Sequence, residues 1–253
     1  MAQVSDVPEF KKLNNLFAEY KNNIPIFQSV LDGNYEGFVY FDCEAEPTWA
    51  VLQTLICFHF VAGKLINKEI LEEILFNRIL SMQDEKQLIV FSPSDKWQPS
   101  LESIFKPRKG FVVPRKIFIF SFERYKAIKN QYYKMLENAE IIITKERIDG
   151  HFCKKDEWVS KLLIKGECVS TCSAPMVGGG CAEIDVKTHP DFRGRGYATL
   201  TTLALIQKLV KNSLTPCWSA WPHNEASLSL AEKVGFILEP DVNAWVWDEN
   251  EYN

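Results

Sequence analysis

The chain has 253 residues, 46% of them hydrophobic and 25% charged, with 33 acidic against 29 basic side chains for a net charge of −4. That length holds one large domain or two small ones around a proper core. The acidic balance disfavours a general nucleic-acid binder, and no apolar run reaches the roughly 20 residues a membrane helix needs.

The longest apolar stretch, 49–63, is too short to span and carries Gln53 and His59. No basic start followed by an apolar run marks a signal peptide. Seven cysteines without a framework spacing read as reduced thiols, so a cytoplasmic setting is expected. Cys168 and Cys172, if on a strand, stand about 13 Å apart, too far for one metal or one disulfide. No metal site is expected.

In chain order, 37–42 (GFVYFD) reads as a strand and 47–60 as a helix opened by Glu46-Pro47. Ile70, Leu71, Ile74, Leu75 and Ile79 predict a helix over 68–80. A buried strand is expected over 87–91, a short helix over 97–105, a strand over 115–122 and a helix over 125–136. The expected division is an N-terminal α/β domain of unknown role, 1–125, and a second domain, 126–253. The strand–helix alternation of 37–122 suggests a degenerate copy of the second half's fold.

The second half is clearer. Strands are expected over 167–176, with Pro175 near an end or edge, and over 181–188, joined by the Gly178-Gly179-Gly180 turn. A helix over 196–210 is stopped by Thr215-Pro216. A strand over 217–221 follows, then a helix capped by Asn224 or His223 and ended by Gly235. Segments 236–239 and 244–247 read as a closing hairpin.

Between the strand 181–188 and the next helix lies Arg193-Gly194-Arg195-Gly196-Tyr197-Ala198. A glycine-rich turn that feeds a helix exposes N–H groups without intrahelical partners, at the positive end of the helix dipole. Such a turn suits a phosphate or diphosphate. Gly194 turns without steric cost, Gly196 leaves the helix start bare, and Arg193 and Arg195 add charge. Alone, this run also fits an ordinary turn or a flexible RGRG segment.

In context the run resembles the acyl-CoA loop of the GNAT acetyltransferase superfamily, which reads Gln/Arg-x-x-Gly-x-Gly/Ala. Arg193, Gly196 and Ala198 match it. A second landmark, Trp218 through Ser227 followed by Ala231-Glu232-Lys233-Val234-Gly235-Phe236, comes in the family's order. With Glu183-Ile184-Asp185 and Thr188-His189-Pro190, the pattern is most similar to the bacterial zwittermicin-resistance-like branch. The resemblance covers about residues 160–240 and implies an α/β (α+β) fold with a mixed GNAT-type sheet in the C-terminal half.

The resemblance also implies acetyl-CoA as co-substrate, a small-molecule amine as acceptor, and no metal. Neither nucleic acid nor membrane is an expected partner, and the sequence is compatible with a homo-oligomer. Residues 193–198 would take the diphosphate, and a backbone N–H of Val186 or Thr188 the thioester oxygen. Asn224 and Ser227 would lie along the pantetheine arm, although Asn is also simply a good helix cap and Ser227 a partner in it. Glu183 and Asp185, two apart on one strand face, are the candidate bases. The alternative is a solvated face with Lys187, or a brace from Asp185 to Arg193 or Arg195. Of Trp218 and Trp221, one is expected in the core and the other near the acceptor; His189 and His223 are minor candidates. Many family enzymes carry a Tyr acid where this chain has Ala231, so Tyr197, Ser227 or water would replace it, or the thiolate leaves unaided. The other class of reading is a non-catalytic acyl-CoA-binding or regulatory protein.

Overall fold

A computed structural model describes the chain except residues 1, 2, 5, 6, 85, 133, 136–138, 149–151 and 253. It divides into two compact units: residues 1–114 together with 242–253, and residues 115–241.

The first unit starts with β1 (Gln3–Val4), a 3₁₀ segment (Val7–Phe17) and α1 (Ile24–Leu31). Three antiparallel strands follow, β2 (Gly37–Phe41), β3 (Trp49–Thr54) and β4 (Phe58–Gly63). The helix expected over 47–60 is therefore two strands. The run is dense in Trp, Val, Thr and Phe and breaks in the middle, which suits a buried hairpin better than a helix. Next come α2 (Lys68–Glu72), continued to Ile79 in wider π-type turns, then β5 (Gln87–Phe91) and α3 (Gln98–Phe105). β5 lies parallel to β4, and its other edge is closed by the antiparallel strand Val242–Asp248. One core gathers Leu71, Leu75, Leu88, Trp97, Phe105 and Trp245.

The second unit takes up β6 (Phe111–Phe120) from Arg115 onward. It continues with α4 (Phe122–Gln131), then β7 (Glu140–Glu146), β8 (Glu157–Ile164), β9 (Glu167–Gly178) and β10 (Cys181–Thr188), an antiparallel meander. The end of the helix expected to 136 lies partly outside the described residues. Then follow α5 (Tyr197–Lys211), β11 (Thr215–Ala220), α6 (Glu225–Lys233) and β12 (Phe236–Leu238). β11 is parallel to β10 and antiparallel to β6, and β12 also pairs β6. The last strand is β13 (Val242–Asp248). The closing hairpin does not form, because β12 adds to β6 while β13 adds to β5. Glu239-Pro240-Asp241 is thus a crossing, and Trp245 belongs to the first unit's core.

Local chemistry fixes these elements. Asn224 caps α6 by accepting from the Ser227 N–H at 3.2 Å. Gly235, at φ +108°, ends it where an added Cβ would stand 2.7 Å from the Tyr125 backbone, so only Gly fits. α5 buries Leu203, Leu205, Ile206 and Leu209 against Ala182, Ile184, Trp218 and Phe236 in the second unit's main core, while its Leu200 packs with Leu162 and Val169. Pro175 does not end β9. A bulge places an extra β9 residue opposite Ile184, in the segment of β9 where Pro175 lacks an N–H.

Candidate active site

β10 and β11 pair only at Cys181–Thr215, Ala182–Pro216 and Glu183–Cys217. Beyond Glu183 the ladder stops, although β10 runs on to Thr188 and β11 to Ala220. The two strands form a fork with Glu183 at its branch point. On its far side β10 stays paired with β9, through Asp185–Ser173 to Thr188–Ser170. The His189 N–H donates to Val169 O at 2.9 Å. Antiparallel alternation then sends the N–H groups of Lys187 and His189 toward β9 and those of Val186 and Thr188 into the fork.

The fork leads to the glycine-rich turn. Residues 190–192 make one 3₁₀ turn, Gly194 and Gly196 adopt φ of +75° and +80°, and Gly196 is the N-cap of α5. Among the described residues, the N–H groups of Gly194, Arg195, Gly196, Tyr197 and Ala198 donate to no protein acceptor. A Cβ on either glycine would meet nothing within 4 Å. The turn is therefore an open, donor-lined segment at the positive end of a 15-residue helix. It is braced by its own arginines: Arg193 Nε donates to Thr188 O and Arg195 Nη2 to Asp191 O, both at 3.2 Å. Neither arginine hydrogen-bonds Asp185.

At the branch point, Ser219 Oγ donates to Glu183 Oε1 at 2.6 Å, and Arg115 Nη2 donates to Ser219 Oγ at 2.9 Å. The Arg115 guanidinium lies 4.5 Å from the centre of the Trp221 ring. Burial raises the Glu183 pKa above the ordinary value, and the Asp185 charge adds to the rise. The Ser219 hydrogen bond and the Arg115 charge work against it. Asp185 is more open, 3.9 Å from Lys187 Nζ. Ala182 and Ile184 point into the core, so Glu183 and Asp185 share the opposite face.

Across the fork, Trp218 is a core residue whose Nε1 donates to Ser227 Oγ at 3.1 Å. That leaves the Ser227 hydroxyl proton free to point elsewhere. Trp221 is half-buried, while His189 and His223 are exposed. Ala231 is fully buried beside Val234 and Phe236. Ser219 and Arg115 escape a reading of the sequence. Ser219 is signalled only by its place on β11, two residues past the partner of Glu183, and Arg115 lies 104 residues away from Ser219. Among the described residues no cluster of three His, Cys, Asp or Glu is arranged to hold a metal, and no helix is long and apolar enough to cross a membrane.

The chain is similar to known proteins in sequence and in fold. The profile of the GNAT acetyltransferase family matches residues 14–244. An uncharacterized N-acetyltransferase of Bacillus subtilis (strain 168), YdfB, is 27% identical over 225 residues, covering 82% of this chain and 84% of its own. The crystal structure of a GCN5-related N-acetyltransferase-like protein from Streptococcus suis 89/1591 superposes with a TM-score of 0.66 at 20% identity, over 96% of this chain and 100% of that one. A tandem GNAT protein from the clavulanic acid biosynthesis pathway superposes with a TM-score of 0.61 at 8% identity, over 97% and 98% of the two chains. With a strand fork that opens onto a bare helix start, and a family profile spanning nearly its whole length, the chain belongs to the GNAT acetyltransferase family.

Proposed function

We propose that this protein is an acyl-CoA-dependent N-acyltransferase that moves an acetyl group from acetyl-CoA to an amine of a small molecule. The observation that carries the reading is the fork itself: unpaired β10 amides lead from a shielded carboxylate to an open, donor-lined helix start. The N–H groups of Gly194 through Ala198 hold the diphosphate, with Arg193 and Arg195 supplying charge. Asn224 and Ser227 line the arm beyond it.

Acetyl-CoA, as co-substrate, supplies an activated thioester. The N–H of Val186 or Thr188 stabilises negative charge on the carbonyl oxygen as the amine nitrogen attacks. Glu183 takes the proton that the amine must lose, directly or through water, and its raised pKa suits that role. Asp185 attracts a cationic acceptor, in keeping with the chain's acidic balance. As the C–S bond breaks, the departing thiolate receives a proton from the Ser227 hydroxyl, Tyr197 or water, because Ala231 has none to give. The reaction fits a cytoplasmic enzyme, and Glu183, Asp185 and Trp218 favour the zwittermicin-resistance-like branch.

Calorimetry with acetyl-CoA, followed by a thiol-release assay across an amine panel, tests the reading. Micromolar binding and thiol release with at least one amine are expected. The buried Ala231 favours one other reading, an acyl-CoA-binding protein without efficient turnover; binding with no thiol release from any amine would establish it. Absence of binding refutes both.

A further inference from the structure

The first unit repeats the succession of the second. β2, β3, β4, α2, β5 and α3 match β8, β9, β10, α5, β11 and α6 in order and in strand sense. Each unit has one parallel ladder of three pairs: Phe58–Ile89 to Phe60–Phe91 in the first, Cys181–Thr215 to Glu183–Cys217 in the second. What lies beyond the last pair differs.

In the second unit β10 and β11 carry no main-chain pairing past Glu183. In the first, the corresponding space is filled by Tyr20. Its Oη stands 2.8 Å from Val61 O and 2.9 Å from Phe91 O, bridging the carbonyls of β4 and β5 where they part. Its ring packs 5.1 Å from that of Phe27 and 5.7 Å from that of Phe60, which stacks on Phe91 at 5.3 Å. Tyr20 is 6% exposed and Val61 and Phe91 are fully buried. Desolvation and the neighbouring Glu19 hold the phenol well above its usual pKa, against the pull of the Val61 hydrogen bond, so it remains a proton donor.

The helix start differs too. Eight residues lead from Phe60 to Lys68, where fourteen lead from Glu183 to Tyr197, and the shorter link has no glycine pair before its helix. Its N-cap is Asn67, whose Oδ1 accepts from the N–H groups of Glu69 and Ile70 at 2.9 and 3.3 Å. Two of the donors that a diphosphate would need are already taken.

We propose that the first unit is a second copy of the acyl-CoA fold whose fork is sealed from within by Tyr20 and whose helix start is closed by Asn67, leaving one acyl-CoA site per chain. The count of one rests on the function proposed above for the second unit. The seal itself does not.

Calorimetric titration of the full chain with acetyl-CoA gives the count. One molecule per chain is expected, bound about 150-fold more weakly in Gly196→Glu. Two per chain overturns the seal while leaving the function proposed for the second unit standing. No binding at all overturns that function and the count with it. A second measurement needs no ligand. Tyr20→Phe keeps the ring but leaves two buried carbonyls without their donor, and should lower the Tm by about 3–8 °C. An unchanged Tm refutes the seal.

Discussion

Replacing Gly196 by Glu places one carboxylate at the mouth of the donor-lined turn. Gly196 has φ +80°, and an added Cβ would meet no atom within 4 Å. The substitution therefore costs the left-handed strain of a side chain, about 1–2 kcal/mol of stability, without a clash. Gly196→Ala carries that same strain and serves as the control. In Gly196→Glu, one repulsive charge pair about 5 Å apart at an effective dielectric of 20 costs about 3 kcal/mol of binding. That is about 150-fold in Kd, and the effect should shrink as salt rises. Calorimetry with acetyl-CoA at low ionic strength, alongside circular dichroism and Tm for both variants, reads it. If Gly196→Glu is folded and binds within about threefold of Gly196→Ala, the turn does not hold the diphosphate.

Glu183→Gln should lower kcat by about 100-fold or more and leave acetyl-CoA affinity unchanged; an unaltered kcat would make Glu183 structural. The acid limb of the wild-type pH–rate profile should lie above the ordinary glutamate value of 4.5, because Glu183 works as the ionised base and its pKa is raised. Ser219→Ala removes a hydrogen bond to the charged form, so the limb should move further up in pH; a limb that stays put disconnects Ser219 from the base. His59 is buried with its pKa depressed to about 3 from 6.5. The unfolded chain takes up that proton first, so stability present above pH 6.5 should be lost as pH falls toward 3. Urea titrations should show a loss of up to about 5 kcal/mol that His59→Gln lacks. Trp218→Ala should destabilise the chain by about 3–5 kcal/mol in chemical denaturation and weaken acetyl-CoA binding by freeing Ser227.

The local signals for the site were strong. The 193–198 run, the hairpin around Gly178-Gly179-Gly180 and the Asn224 and Gly235 caps each rest on backbone demands that a few residues announce. The branch point itself could not be read. Where a parallel ladder stops is set by pairing with β6 and β9, and nothing in residues 181–188 or 215–220 states it. Arg115 and Ser219 meet Glu183 only through tertiary placement. The run 47–60 does not declare its two strands, because short buried strands and buried helix segments carry the same apolar content. The destination of Val242–Asp248 is equally hidden, because proximity in sequence favours a hairpin with β12 over pairing with the distant β5.

The late arrival of Val242–Asp248 at the side of Gln87–Phe91 bears on biosynthesis. About 150 residues of chain separate Phe91 from Val242, so at about 5–20 residues per second the ribosome delivers the missing neighbour about 8–30 seconds late. Throughout that interval the nascent chain presents Leu-Ile-Val-Phe with unsatisfied main-chain groups along one edge, a template for adhesion to other polypeptides. Shielding by a chaperone during translation, and sensitivity of yield to loss of the last dozen residues, are the expected cellular signatures.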